Sequence, residues 1–492
     1  MTILLLTLLF SYPDSARVIG RMYYSEGISG NYGARTIVRD SLHRIHFVYS
    51  KKWGLPYADS SEIYYRYSQD NGVMWSQEEN ISRTGSAVSG EPCLVIDKND
   101  ILHCFWKQYV PNGIGSYEIF HCKKDSTGWS TPTRLTYQYT TTNALNHISA
   151  VIDSQNQVRV AWSAPPNNTV GDIWYSVLND SGFTLPYNVT NSLTGTGGPS
   201  LGIDTLDHLH LCYGEYINGL FKQYYQKYDN IIWSIPYYLT WQLEGEGDVT
   251  LTVDTKSRIH CVLSQGPPGL TQSEIYYICY TDTGGWSYPI NISENPSTFS
   301  VSPNVACDSL DNLYIVWQER MSGYTYDIYY RTFNGVTWSP VINLTNDPSL
   351  SSIPKLGHPV TRSGVDLIWS NRISSYPPVY DVVYMQLRPI ASGIEEPEIP
   401  RRIISPPQPL IKITPNPFNY QTIIQYTLPV QLKFSIKLYD INGKLIEVLT
   451  ETEKQPGTYQ IVWHNKKFPA GVYFLSLETK EKKTIERLVV IK

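Results

Sequence analysis

Short runs of alternating apolar and polar residues recur along the first 390 residues of the chain, and this period is typical of half-buried β-strands. The pattern is clearest within residues 302–345, where four such runs follow one another and are separated by turn residues. The four predicted strands begin at Pro303, Leu313, Asp327 and Trp338. The repeating unit of the chain is therefore a set of four short strands.

This unit recurs at a nearly constant spacing. The Asp that closes its first strand returns at steps of 57, 56, 51, 50 and 54 residues, as Asp40, Asp97, Asp153, Asp204, Asp254 and Asp308. The apolar second strand appears seven times, from Ile45–Tyr49 to Val365–Trp369. Four strands per repeat of this length are typical of propeller blades. The sequence predicts an all-β fold with a seven-bladed β-propeller, and six blades are the alternative.

The last repeat lacks a fourth strand of its own. Fourth strands open at Trp75, Trp129, Phe183, Trp233, Trp286 and Trp338. The seventh repeat instead ends near Arg388, and an open array of sheets would expose two unpaired edges. We expect residues Arg17–Tyr24 to supply the missing strand and to close the ring.

The pattern changes on both sides of the propeller region, which we place at residues 17–390. The apolar start of the chain favours a signal peptide over residues 1–16, with a buried strand as the alternative, and it is too short to span a membrane. Residues 391–410 are rich in Pro and Glu and predict a semi-rigid linker. Predicted strands with a different spacing over residues 411–492 indicate an immunoglobulin-like β-sandwich.

Composition supports the all-β prediction and limits the expected partners. The chain contains 39 Tyr and 13 Trp, which favour strands. Its 39 basic and 44 acidic residues give a net charge of -5, so we do not expect nucleic acid or an anionic membrane as a partner. The seven Cys include no Cys-x-x-Cys pair, and we predict no metal site, no disulfide framework and no cofactor.

One turn of the first repeat carries a specific motif. Ser68, Asp70, Gly72 and Trp75 fit the pattern Ser-x-Asp-x-Gly-x-x-Trp, known as the Asp-box. The Asp can accept hydrogen bonds from the turn, the Gly tolerates positive φ, and the Trp can pack between blades. Weaker copies occupy Asp125–Trp129 and Asp282–Trp286. The propeller therefore resembles the sialidase-like Asp-box (BNR) group.

That resemblance implies glycoside hydrolysis, which in sialidases depends on a Tyr nucleophile assisted by a Glu, an acid/base Asp and three arginines. No Phe/Tyr-Arg-Ile-Pro segment is found near the start of the propeller region. Arg320 and Arg372 each follow a second strand, but two arginines do not define the sialidase set. We therefore predict no catalytic residue, and a secreted glycoside hydrolase of sialidase type is the alternative function.

Several chemically reactive side chains repeat with the scaffold. Six repeats carry an acid just before the third strand, at Glu62, Glu118, Asp172, Glu274, Asp327 and Asp381. Four carry a second-strand His, at His46, His103, His210 and His260. A ring of carboxylates that binds a cation is one interpretation. Because these residues repeat with the fold, we favour hydrogen-bond partners that define each blade.

Residues that do not repeat are better candidates for binding. In a propeller the loops between the second and third strands open on the same face as the connections between blades. The predicted ligand-binding residues in these loops are Trp53, Tyr57, Tyr109, Glu215, Tyr216, Glu319, Arg320, Tyr324, Arg372 and Tyr376. Aromatic rings with a few charges suit sugar faces or extended peptides, although exposed Tyr is also ordinary on β-surfaces.

The C-terminal region carries several separated motifs in a fixed order. They comprise Pro415, Asn416, Pro417, Phe418 and Asn419, then Asp440 and Gly443, then Gly471 and Tyr473. Together they resemble the type IX (Por) secretion sorting domain over nearly its whole length. The resemblance implies recognition by an outer-membrane translocon, followed by release or surface attachment. The alternative is a related immunoglobulin-like module without a sorting role.

These features together predict a bacterial protein that is secreted or displayed on the outer-membrane surface. We expect its propeller loops to bind a polysaccharide or a surface protein without catalysis, and its C-terminal domain to direct export. A cell-envelope structural protein without a small ligand is a third interpretation.

Overall fold

The computed structural model describes residues 16–491 apart from a set of internal gaps. These gaps are residues 24–33, 53–59, 86, 112–115, 138–145, 165–170, 180, 219, 240–246, 267–271, 322–324, 347–348, 362–363, 376–377, 389–409, 429–431, 442, 456, 466–467 and 480–482. Nearly all of the predicted signal peptide and linker lies outside the described residues. Every regular element within them is a β-strand, which confirms the all-β prediction. The chain divides into two compact units, Met1–Ser392 and Gly393–Lys492.

The first unit consists of consecutive antiparallel sheets, preceded by the strand β1 (Arg17–Tyr23). Sheet I contains β2 (Ile37–Arg39), β3 (Ile45–Lys52), β4 (Ser61–Ser68) and β5 (Glu79–Asn80). Sheet II contains β6 (Ser89–Ile96), β7 (Leu102–Val110), β8 (Ser116–Asp125), β9 (Gly128–Trp129) and β10 (Thr133–Arg134). Sheet III contains β11 (Asn146–Ile152), β12 (Val158–Ala164), β13 (Asp172–Asn179), β14 (Gly182–Phe183) and β15 (Tyr187–Asn188).

Four more sheets follow in the same order. Sheet IV contains β16 (Thr196–Ile203), β17 (Leu209–Ile217), β18 (Leu220–Tyr228) and β19 (Tyr237–Tyr238). Sheet V contains β20 (Val249–Val253), β21 (Ile259–Gln265), β22 (Glu274–Thr281), β23 (Gly285–Trp286) and β24 (Ile290–Asn291). Sheet VI contains β25 (Ser300–Cys307), β26 (Leu313–Arg320), β27 (Tyr326–Phe333) and β28 (Ile342–Asn343). Sheet VII contains β29 (Leu350–Leu356), β30 (Val365–Ser375) and β31 (Pro378–Leu387).

Sheet VII takes its fourth strand from the N-terminus. Strand β1 pairs antiparallel with β31, so the strand order is β1-β31-β30-β29. Its apolar side chains Ile19 and Met22 are buried, while the Arg21 Nε donates to Asp381 Oδ1 at 2.7 Å. This pairing confirms the expectation that the N-terminal segment completes the last repeat.

The sheets of the first unit contact one another in cyclic order. First strands of successive sheets pack together, with β6 against β2 and β11, and β16 against β11 and β20. Sheet VII contacts both of its neighbours, because β29 packs against β25 and β1 packs against β3. A buried ion pair of 2.6 Å between Arg39 Nε and Asp366 Oδ2 joins sheets I and VII. The first strands therefore line the inside of a propeller-like arrangement.

Aromatic rings fill the junctions between successive sheets. A ring near the outer strand of one sheet packs edge-on against a third-strand ring of the sheet before it. The pairs and their centroid separations are Trp75–Tyr384 (5.4 Å), Trp129–Tyr65 (5.1 Å), Phe183–His121 (5.4 Å), Trp233–Tyr175 (5.7 Å), Trp286–Tyr225 (4.8 Å) and Trp338–Tyr277 (5.1 Å). Each such pair contributes about 0.5–1.5 kcal/mol beyond its buried area.

The repeated acids hold the turn that follows the outer strand. Asp172 accepts hydrogen bonds from Asn188 Nδ2 at 2.8 Å and Thr190 Oγ1 at 2.9 Å. Asp327 accepts the equivalent bonds from Asn343 at 2.7 Å and Thr345 at 3.0 Å. The carboxylates therefore serve turns within their own sheets, as expected for residues that define the blade.

Three of the four second-strand histidines bridge the Asp that closes the first strand and a third-strand Tyr, while His103 contacts His121 instead of a Tyr. In sheet V, His260 Nε2 lies 3.0 Å from Asp254 Oδ2, and His260 Nδ1 lies 2.8 Å from the Tyr277 hydroxyl. His46 and His210 make the same bond to their third-strand Tyr. These histidines are buried parts of the scaffold.

The second unit contains two packed sheets built from seven strands. These strands are β32 (Leu410–Thr414), β33 (Gln421–Leu428), β34 (Leu432–Tyr439), β35 (Leu445–Lys454), β36 (Gly457–His464), β37 (Gly471–Thr479) and β38 (Lys483–Val490). One sheet has the order β32-β33-β36 and the other β35-β34-β37-β38. Ile424, Ile436, Leu475 and Leu488 belong to their common buried core.

Candidate functional site: the upper end of the channel

Four of the predicted ligand-binding residues lie outside the described residues. They are Trp53, Tyr57, Tyr324 and Tyr376. The other six are distributed over sheets II, IV, VI and VII, at the ends of second strands. The structure therefore describes six of these ten side chains.

Two of the predicted ligand-binding residues are acids whose carboxylates make hydrogen bonds within the protein itself. Glu319 is only 1% exposed and accepts hydrogen bonds from Ser300 Oγ at 2.7 Å and Trp317 Nε1 at 2.9 Å. The carboxylate therefore satisfies buried donors of its own sheet, and its role as a ligand contact stays a prediction. Glu215 accepts bonds from Ser192 at 2.7 Å and Thr194 at 2.9 Å, so it holds a neighbouring turn.

The remaining four residues keep side chains at the loop face. Tyr109 and Tyr216 each pack on an aromatic neighbour of their own hairpin, and Tyr216 is 46% exposed. The Arg320 guanidinium lies over the Phe299 ring, 5.3 Å from its centroid. Arg372 donates to the Ser375 carbonyl at 3.0 Å. These four side chains, which we call the rim residues, lie at or near the loop ends of the second strands of sheets II, IV, VI and VII.

The Asp-box residues stabilise a turn between sheets. Asp70 accepts hydrogen bonds from the Ser68 hydroxyl and from a turn amide, both at 2.8 Å. Gly72 has a φ of 82°, and its amide donates to Ser68 Oγ at 2.9 Å. The Trp75 indole packs edge-on against Tyr384 of sheet VII. All four residues of the motif are thus engaged in the structure of this turn and its junction.

A further set of polar side chains, which no sequence motif marks, lies at the start of the first strands. Glu91, His147, Asp248 and Ser302 each stand six residues before the repeated Asp of their strand. Glu91, His147 and Ser302 have positive φ values of 52°, 58° and 53°, and the strand register shifts beside each of them. Such bulges redirect side chains.

Lys355 of sheet VII is the centre of this cluster. Its ammonium interacts electrostatically with Asp248 beside sheet V and with Glu91 of sheet II, and it also lowers the pKa of His147 in sheet III. A side chain that reaches three sheets, none of them a neighbour of its own, lies near the axis on which the first strands converge. We call Glu91, His147, Asp248 and Lys355 the channel cluster.

Burial sets the protonation of the channel cluster. It lowers the pKa of Lys355 to about 8 and raises the pKa of Asp248 to about 6, although each partly offsets the shift of the other. Burial also lowers the pKa of His147 to about 4, so this imidazole is neutral at pH 7. Burial alone would raise the pKa of Glu91, but His147 and Lys107 outweigh it and the net pKa is lowered. Such perturbed groups are typical of functional sites.

Two cations of the channel have no close partner. Lys355 is 4% exposed, and neither its ammonium nor the Arg35 guanidinium has a hydrogen bond or an ion pair within 4.0 Å among the described residues. Burial lowers the pKa of Arg35, which stands beside Cys93. A buried cation without a hydrogen-bonded counter-ion is costly to the fold and is suited to an anionic ligand.

Further along the first strands the lining of the channel mixes valines with a few polar side chains. A cavity of about 290 Å³ is lined there by Val38, Val95, Val151, Val253 and His358, with Arg35 on its wall. No group of three or more His, Cys, Asp or Glu within the described ranges is arranged to hold a metal ion.

The first sorting motif closes the C-terminal unit on its last strand. Asn416 Nδ2 donates to the Arg487 carbonyl at 2.6 Å, and Asn416 Oδ1 accepts from the Val489 amide at 2.8 Å. Phe418 is buried and packs edge-on against Trp463, 5.6 Å between centroids. These contacts show why both residue types are needed for this fold.

The other motif residues divide into exposed positions and turn positions. The exposed ones are Pro415, Pro417 and Asn419. Gly443 has a φ of 78°, and its amide donates to the Asp440 carbonyl at 3.0 Å. Tyr473, which follows Gly471 in β37, donates its hydroxyl to the Pro469 carbonyl at 2.9 Å. The motif is thus largely a set of structural contacts with an exposed Pro-rich edge.

Comparison with solved structures supports the propeller-like fold. An ulvan lyase from a new family of polysaccharide lyases has a TM-score of 0.54 at 11% identity, covering 76% of this chain and 96% of that chain. The ulvan lyase structure bound to -[GlcA(1-4)Rha3S]- has a TM-score of 0.53 at 12% identity, with the same coverage of both chains. Trypanosoma rangeli sialidase has a TM-score of 0.44 at 10% identity, covering 97% of this chain and 88% of that chain. No curated protein matches the chain.

The fold therefore defines an all-β, propeller-like protein with a separate C-terminal β-domain. Residues 412–492 match the family model described as a secretion system C-terminal sorting domain. This match confirms the resemblance drawn from the motifs between Pro415 and Tyr473. The protein is a secreted or cell-surface bacterial protein that carries a type IX sorting domain. Among the residues that the structure describes, no helix has the length and apolar character to cross a membrane.

Proposed function

We propose that this protein is a secreted or surface-displayed carbohydrate-binding propeller that holds an acidic polysaccharide at the upper end of its channel. In this proposal sheets I–VII are seven blades of a closed propeller over residues 17–390. Residues 391–410 form the linker, and residues 411–492 form an immunoglobulin-like sandwich that engages the type IX translocon.

The observation that carries the proposal is the pair of channel cations without close partners. Lys355 lies in the channel cluster and Arg35 on the wall of the cavity further along the first strands, and neither cation has a hydrogen bond or ion pair in the described residues. A carboxylate or sulfate group would neutralise them through charge-assisted hydrogen bonds. The rim residues Tyr109, Tyr216, Arg320 and Arg372 are placed at the loop face, where sugar rings of an extended chain can stack on the aromatic members.

The ligand class is also supported by one structural relative. The ulvan lyase was solved with a saccharide of glucuronic acid and sulfated rhamnose, which carries both kinds of anionic group. At 12% identity this likeness concerns the fold, so the ligand class is carried to the present chain only as part of the proposal. The channel cations give it an independent physical reason.

A polysaccharide-degrading enzyme is the second candidate function. The specific observation in its favour is the neutral imidazole of His147, which shares the channel cluster with Lys355. A neutral imidazole can accept a proton, and a nearby cation can stabilise negative charge that develops on a substrate. Binding is preferred because the chain lacks the Phe/Tyr-Arg-Ile-Pro segment of the sialidase catalytic set near the start of the propeller region.

The test is to incubate the full-length protein with immobilised uronate- or sulfate-bearing polysaccharides and with neutral polysaccharides of similar length. Retention on acidic chains alone, without shortened products, is the expected result. Shortened chains in the supernatant would establish the second candidate. Equal retention on neutral chains, or none on any chain, would contradict the proposed acidic ligand.

A further inference from the structure

Two thiols face each other across the junction of sheets IV and V. Cys212 belongs to β17 and Cys261 to β21, and their sulfur atoms are 3.3 Å apart. Both residues are fully buried in one hydrophobic cluster that also contains Leu263 and Ile278. The two sulfurs are therefore held in contact by the packing of two separate sheets.

The other cysteines lack such a contact. Cys104, Cys279 and Cys307 direct their sulfur toward a backbone carbonyl, at 3.9, 3.7 and 3.4 Å. Cys104 and Cys122 stand opposite each other on neighbouring strands of one sheet, β7 and β8, so a bond between them would join no separate sheets. The geometry selects Cys212 and Cys261.

We propose that Cys212 and Cys261 form a disulfide bond in the exported protein and join sheets IV and V covalently. A sorting domain of this class implies passage through the periplasm, where disulfides form and persist. A sulfur–sulfur bond is about 2.05 Å long, so the two atoms must approach by about 1.2 Å.

The reaction is an exchange with an oxidised thiol–disulfide oxidoreductase. The thiolate of one cysteine attacks a sulfur of the enzyme's disulfide, and a mixed disulfide forms as that bond breaks. The second thiolate then displaces the enzyme sulfur, so the chain loses two protons and two electrons and the enzyme leaves as a dithiol. Burial raises the pKa of Cys261 strongly, so the exchange belongs to folding, before the junction closes.

The bond would be a covalent cross-link between two adjacent sheets. It closes a loop of the chain between residues 212 and 261, which restricts the unfolded state. Five of the seven cysteines would remain thiols. The prediction of a chain without a disulfide framework would then be amended by a single covalent link.

The test uses full-length protein collected after secretion, denatured and alkylated without reduction, and mapped by mass spectrometry. We expect a linked peptide pair containing Cys212 and Cys261, an intact mass about 2 Da below that of the reduced chain, and a lower Tm after reduction. Cys212→Ala should abolish both the link and the effect of reduction on Tm, whereas Cys104→Ala should preserve both. Alkylation of all seven cysteines without reduction, or a link between any other pair, would overturn the proposal.

Discussion

Asp248 and Asp311 illustrate how the surroundings of a carboxyl group set its charge in this protein. Burial raises the pKa of Asp248 to about 6, from a usual value of 3.8. Burial acts in the same direction on Asp311, but hydrogen bonds from Lys256 and Thr255 outweigh it, and the net pKa is lowered. The charged Asp248 carboxylate therefore destabilises the fold near neutral pH, whereas the charged Asp311 carboxylate stabilises it.

Asp248→Asn should therefore stabilise the protein at pH 7.5. Because the folded pKa lies above the unfolded one, the folded protein binds the extra proton, and stability falls as the pH rises through the interval from 3.8 to about 6. Removing the charge should gain about 1–3 kcal/mol at pH 7.5, less the lost attraction to Lys355, and clearly less at pH 5. The measurement is thermal unfolding at both pH values.

Asp311→Asn is the matched control for this variant. Its folded pKa is lowered, so its contribution is present above the unfolded pKa and is lost as the pH falls through the folded one. We expect it to lower Tm at pH 7.5. An Asp248→Asn variant that also loses stability at pH 7.5 would contradict this account, because the charged carboxylate would then stabilise the fold.

At the scale of elements, the turn between β4 and β5 joins two sheets through a glycine. A methyl group at Gly72 would lie 2.0 Å from the Tyr384 ring of sheet VII. Gly335 occupies the corresponding turn of sheet VI at a similar φ, +86° against +82°, but a methyl group there would meet no atom within 4 Å. Comparing substitutions at the two glycines therefore distinguishes the cost of backbone strain from the cost of a clash between sheets.

Gly72→Ala should therefore be more harmful than Gly335→Ala. The strain of positive φ costs about 1 kcal/mol at either position, and overpacking against Tyr384 adds about 1–3 kcal/mol at Gly72 alone. Tm values of the two variants give the comparison. Equal losses would mean that the Asp-box turn does not fix the junction of sheets I and VII.

The repeated strands were predictable from the sequence, whereas the side chains that come together from different sheets were not. The β-strand pattern and Asp spacing predict four-stranded sheets, and the missing fourth strand predicts the pairing of β1 with β31. Glu319 looked like a loop ligand because strand ends are ambiguous in sequence, yet its carboxylate turns inward to buried donors. Only the structure distinguishes these two directions.

The channel cluster shows the same limit more strongly. Its four members come from four repeats, and nothing local marks them as neighbours. A sequence signal does exist, since Glu91, His147 and Asp248 share one position, six residues before the repeated Asp, while differing in residue type. When the residue type varies at one inward-facing position of a repeat, that position is a candidate for a site on the axis of the propeller-like unit. Lys355 lies at a different position, so its membership required the structure.

At the scale of the whole molecule, the two units carry separable tasks. The compact unit Gly393–Lys492 contains the complete region matched by the sorting-domain family. A reporter fused to residues 393–492 should therefore reach the surface or the medium of a type IX-competent bacterium and stay in the periplasm of a translocon mutant. Cell fractionation measures this distribution. Periplasmic retention in the competent host would contradict a sorting role.

The central claim is that the channel cations of the propeller-like unit bind an acidic polysaccharide. The most direct measurement is the affinity of full-length wild-type, Lys355→Met and Lys256→Met proteins for a uronate-bearing polysaccharide, by isothermal titration at pH 7 and pH 9.5. Lys256 is the control because its ammonium is exposed and paired with Asp311 at 2.6 Å.

We expect Lys355→Met to weaken binding by about ten-fold or more, and Lys256→Met to leave it unchanged. Since the pKa of Lys355 is lowered to about 8, the wild-type affinity should also fall between pH 7 and pH 9.5, where the ammonium loses its proton. Binding that is equally strong in all three proteins and at both pH values would contradict the account.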